Sequence, residues 1–167
     1  MKKILSLVIC VMLVAFCAAG LAEEVYTVEI DYEGYYVTFD ELFDLYLPET
    51  FVDTEVTDDM AENGTFAFYI DSETGMAMTV QWVYGEGTND INAMYEYMAS
   101  SGEYANADIM SFNSVDFVVY EDPENSAFGC LCSDGEEDGG YYIFNFAPDD
   151  EETSILAVKI MSSISEP

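Results

Sequence analysis

Residues Thr88 to Gly102, TNDINAMYEYMASSG, constrain the fold more than any other stretch, because they read as a helix between long runs that alternate like strands. Ile91, Met94, Tyr95 and Met98 stand at i, i+3, i+4 and i+7, which lays one apolar stripe along a helix. Thr88, Asn89 and Asp90 offer capping side chains for the free N–H groups of the first turn. Gly102 can take the left-handed conformation that closes the last turn. A helix bridging two sets of hairpins is therefore the organising element.

Before that helix the period is two. Tyr35, Val37 and Phe39 share one face, and Phe43, Leu45 and Leu47 follow a break at Asp40-Glu41. Pro48 should end this second strand, since it has no N–H to give a ladder. Residues 51–62 read as irregular, and Asn63-Gly64 as a hairpin turn. Phe66, Phe68 and Ile70 then alternate with Thr65, Ala67 and Tyr69; past a turn at 71–75 come Met76, Met78, Val80 and Trp82. Apolar residues on both faces predict a sheet covered on both sides.

After the helix, residues 108–112, 115–120, 127–132 and 141–147 read as a meander, separated by turn residues such as Asn113-Ser114 and Asp122-Pro123-Glu124-Asn125. Acids after Pro148 suit the positive end of a second helix, striped by Thr153, Leu156, Ala157, Ile160, Met161 and Ile164. The predicted fold is α+β, an α/β/α sandwich with a central antiparallel sheet and two main helices, about 89–101 and 149–164.

The N-terminus sets location and boundaries. Lys2 and Lys3, the apolar run Ile4 to Ala19 and Gly20-Leu21-Ala22 before Glu23 read as a secretory signal peptide. The apolar run is shorter than the roughly 20 residues that cross a bilayer. A lipoprotein anchored through Cys17 is the alternative, but bulky Phe16 precedes that cysteine where a small residue is wanted. The expected division is a signal peptide at 1–22, an acidic lead-in at 23–34 and a single domain at 35–167. An exported chain would then hold 34 carboxylates against Lys159, with no Arg and no His. Nucleic acid and anionic membrane surfaces need cations on the protein and are excluded as partners; basic peptides, metal cations and neutral glycans remain open. Mutual repulsion should oppose folding and push carboxylate pKa values up.

The same absences narrow the chemistry. Without His there is no Ser-His-Asp or Cys-His couple. Without Arg there is no phosphate clamp, and Gly85-Glu86-Gly87-Thr88 lacks the lysine of a phosphate loop. Carboxylate pairs, as in glycoside hydrolysis, are the surviving catalytic option. Asp108 and Asp116 lie inside apolar runs, yet alternation can turn each outward. No catalytic or cofactor-binding residue is assigned. The acidic turn at Asp134, Glu136 and Asp138 supplies oxygen ligands for a calcium ion, but its spacing is not that of an EF-hand, and a solvated hairpin turn is the favoured reading. Cys130 and Cys132 point to one face of a strand; two small buried side chains are expected, with a strained bridge or a soft-metal pair as alternatives. Tyrosines either fill a two-sided sheet or present rings to a sugar.

A strand ending in "DLYLPETF", a hairpin, a helix, a meander and a final helix ending in "MSSIS" resemble the PsbP-like family over residues 35–164. These are the photosystem II extrinsic proteins and their Ran-binding import relatives. The resemblance implies an α/β/α sandwich around an antiparallel sheet. The chain also resembles small exported proteins of gut-type Gram-positive bacteria. The photosynthetic members dock and bind ions through His and basic residues that have no match here, so no site residue carries over. The resulting reading is a secreted, strongly acidic, non-enzymatic accessory or binding module. A carboxylate-dependent hydrolase of neutral polysaccharide and a calcium-supported surface protein are the alternatives.

Overall fold

In the computed structural model, which describes residues 28–39, 42–85, 90–135 and 139–165, the alternating segments assemble into two sheets. Strands β1 (Gly34–Phe39) and β2 (Phe43–Pro48) pair as a hairpin of their own. The main sheet is built from β3 (Phe51–Asp53), β4 (Thr65–Asp71), β5 (Ala77–Tyr84), β6 (Ala105–Phe112), β7 (Val115–Asp122), β8 (Ala127–Ser133) and β9 (Gly140–Ala147). Its order is β3-β4-β5-β9-β8-β7-β6, antiparallel throughout. Helices α1 (Asp58–Glu62), α2 (Ile91–Ser101) and α3 (Glu151–Met161) complete the α+β fold. The signal peptide, its cleavage site and Cys17 lie outside the described residues.

Helix α2 carries the chain from β5, near the sheet's centre, to β6 at its far edge, and the meander then leads back to place β9 beside β5. Asp90 caps it by accepting from Asn92 N–H at 2.9 Å, and Gly102 ends it at φ 75°. Met94 and Met98 are buried with Val118, Tyr120 and Leu131, so the stripe packs on β7 and β8. The opposite face holds the larger core. Val80, Phe117, Cys130, Phe144 and Phe146 meet Leu45 and Leu47 of the hairpin and Ala157, Ile160 and Met161 of α3. Each large side chain fully removed from water there contributes about 1.5–3 kcal/mol.

Helix α3 also fixes the hairpin. Asp150 accepts from Thr153 N–H at 2.9 Å at its start. Just past its end, Ser163 Oγ accepts from Tyr46 N–H at 2.8 Å, and Asp44 and Ser165 exchange backbone hydrogen bonds at 2.9 and 3.1 Å.

Three local expectations are corrected. Residues 51–62 contain β3 and α1 in place of an irregular stretch, because Phe51 joins the core and Thr57 caps a turn of helix at Met60 N–H. Asn63-Gly64 ends α1 and does not join two strands; left-handed glycine serves either purpose. A bulge between Thr65 and Ala67 breaks the alternation of β4. Phe66 therefore joins Tyr69 on the large-core face, while Phe68 and Ile70 pair across to Thr79 and Ala77.

Candidate aromatic site

The large core runs out into solvent along an aromatic path at the end of the sheet where β5 finishes and β9 begins. Phe39 stacks on Phe43, and Phe43 meets Tyr142 edge-on at 5.4 Å. Tyr142 in turn faces Phe66 at 6.3 Å, in edge-to-face geometry. Register places Trp82 of β5 opposite Tyr142 of β9. Together Gly64, Phe66, Trp82 and Tyr142 line an open hollow of about 430 Å³. Two residues along the same face, the ring of Tyr84 lies 6.4 Å from that of Trp82. Trp82 is 39% exposed and Tyr84 59% exposed.

The rings are held by backbone and by one carboxylate. Gly64 has φ +84°, and a Cβ there would fall 2.3 Å from the Trp82 carbonyl oxygen, so only glycine allows this approach. Gly64 O accepts from Trp82 N–H at 3.0 Å and ties α1's end to β5. At the rim, Asp134 Oδ2 accepts from the indole Nε1–H of Trp82 at 3.0 Å and from Gly140 N–H at 2.6 Å. The first bond anchors the indole by its edge and the second holds the carboxylate in place; the ring lies against Gly140, where a Cβ would come within 3.1 Å of it.

Of the predicted calcium ligands, Asp134 thus has a place at this rim, while Glu136 and Asp138 lie outside the described residues. Among the described residues no group of three acids or thiols converges on a metal position. Asp108 and Asp116 are both exposed: Asp108 Oδ1 accepts from Ile109 N–H at 2.8 Å, and Asp116 accepts from Ser111 Oγ. Neither borders the hollow. Glu86 to Thr88, the resemblance to a phosphate loop, lie outside the described residues.

Cys130 and Cys132 share the large-core face, buried and unbridged. Burial pushes both thiols up, that of Cys132 to about 12 with the Asp134 charge adding to the effect. Lys159 pairs with Asp31 at 2.6 Å. Hydrogen bonding to Lys159 holds the Asp31 carboxyl below its ordinary value. Burial opposes ionisation of Asp71, but donors from Glu73 and Thr74 outweigh it and hold its pKa down. Asp90 is lowered by the N–H of Asn92. Asp149 follows the expectation from repulsion: burial, then the charges of Glu121 and Asp150, raise it.

Sequence reasoning passed over Trp82 and Tyr84 as the continuation of a strand. The signal was present in their alternation past the last aliphatic face position, Val80, directly before Gly85.

No family model matches the chain, and no curated protein matches it. Among solved structures it is similar to the solution structure of cyanobacterial PsbP from Synechocystis sp. PCC 6803. That match has a TM-score of 0.49 and 15% identity, and covers 89% of this chain and 98% of that one. At that identity the likeness concerns fold alone, and the site rests on this chain's own residues.

Proposed function

We propose that the chain is an exported, strongly acidic, non-enzymatic binding module whose binding surface is the aromatic hollow of Phe66, Trp82 and Tyr142, extended by Tyr84. The observation that carries this reading is the exposure of two large rings on one rigid strand, with the indole oriented by Asp134. Exposed aromatic rings beside a concavity are surface that a soluble protein ordinarily covers. A hydrolase would need two convergent carboxyls, one of them desolvated. Among the described residues Asp134 is the acid at this rim, and it already accepts from two donors.

The test is to incubate the protein with neutral oligosaccharides, organic cations and basic peptides. The indole N–H resonance of the chain's single tryptophan and the release of products are followed together. A binding module shifts that resonance with at least one class and forms no product. Release of reducing ends from a polysaccharide would replace this reading with the hydrolase.

A further inference from the structure

We infer that the hollow takes a small quaternary ammonium cation, choline-like in chemistry; this rests on the reading of the hollow as a binding surface. Three features of the molecule converge on that occupant. The lining is aromatic: Phe66, Trp82 and Tyr142, with Tyr84 alongside. Aromatic faces attract cations through their quadrupole, tryptophan most strongly. Hydrogen bonding of the Nε1–H to the Asp134 carboxylate polarises the indole further toward a negative face.

Charge complementarity supplies the second argument. A chain with formal net charge −31 concentrates cations at its surface and repels anions. Quaternary ammonium groups joined to a carboxylate or phosphate would lose this advantage, so the favoured ligand carries no acid of its own.

The third argument separates this cation from other positive partners. A metal ion wants several oxygen ligands, which ring faces do not provide. A lysine ammonium brings three N–H donors and an arginine five, each costly to leave unmatched. Among the described residues the side chains lining the hollow are Phe66, Trp82 and Tyr142, which offer few acceptors, and the Asp134 carboxylate at the rim already accepts from two donors. A quaternary ammonium has no donor to satisfy. A sugar can lay a C–H face on a ring, but being neutral it gains nothing from the chain's negative charge.

Trp82 is the only tryptophan, so its emission reports the hollow directly. Choline chloride is titrated into the protein at constant ionic strength balanced with NaCl. The same titration is run with 3,3-dimethylbutan-1-ol, the neutral isostere, and with a neutral oligosaccharide. A saturable change with choline, and binding of the isostere about five- to thirtyfold weaker, is the expected result. Tyr84→Ala, at an exposed position, should keep the fold and weaken choline severalfold. Trp82→Phe, followed by calorimetry, should retain a weaker site.

Equal binding of isostere and choline would overturn the cationic ligand while leaving the hollow as a binding surface. A response to the oligosaccharide and none to choline would do the same. An unresponsive Trp82 with every probe would overturn the inference and the reading beneath it.

Discussion

A thiol reacts as its thiolate, and burial makes that form costly at Cys130 and Cys132. Both pKa values lie well above the ordinary thiol value. A native chain starting at Glu23 should therefore leave a thiol reagent unreacted at pH 8, while denaturant exposes two reactive thiols; rapid labelling of the native form would contradict the burial. Asp149 provides a test of sign. Its folded pKa is raised, so it favours the fold while protonated. That contribution is complete below the ordinary value of 3.8 and is lost as pH rises through the folded value. Asp149→Asn should thus raise the unfolding temperature at pH 7, and the gain should vanish below about pH 3.5. Asp71 runs the opposite way, its contribution present at neutral pH and lost as acid protonates it. Alternation allowed Asp108 and Asp116 to turn outward, and both are exposed. It could not show that Asp134 would hold an indole 52 positions away, because that contact exists only once β5 and β9 pair.

Helix α2 is the element on which the crossover depends, and its stripe touches one compact cluster. Met94→Asp would bury an unpaired charge against Val118 and Leu131 and remove the methionine's packing. The expected cost is several kcal/mol, read as a lower midpoint in denaturant unfolding. An unchanged midpoint would show that the stripe is not core. The two long helices were legible in the sequence because capping and period are local: Asp90, Gly102 and Asp150 stand where their chemistry predicts. The β1–β2 hairpin as a separate layer was not legible. Its strands alternate like those of the main sheet, and only long-range contacts, such as Ser163 with Tyr46, decide where it sits. The bulge in β4 was hidden for a related reason: Thr65 to Ile70 alternate without interruption in sequence, and the extra residue becomes visible only against β5.

At the scale of the whole molecule, charge and the aromatic hollow belong to one account. With 34 carboxylates and three basic residues, repulsion opposes the compact state. The Lys159–Asp31 contact, the one ion pair among the described residues, relieves little of it. Raising NaCl from 0.01 to 0.15 M shortens the screening length from about 30 to about 8 Å and should raise the unfolding temperature. CaCl₂ at matched ionic strength should do more only if Asp134, Glu136 and Asp138 converge on an ion; an unfolding temperature insensitive to both salts would refute the role of repulsion. The same charge makes a cation the natural visitor to exposed rings. The measurement that tests this most directly is residue-by-residue mapping of choline on the isotopically labelled protein, at constant ionic strength. The account predicts shifts at Gly64, Phe66, Tyr142, Tyr84 and the Trp82 indole, and little change along α2 or the β6 edge. Shifts scattered over the acidic surface, with the Trp82 indole unmoved, would contradict it.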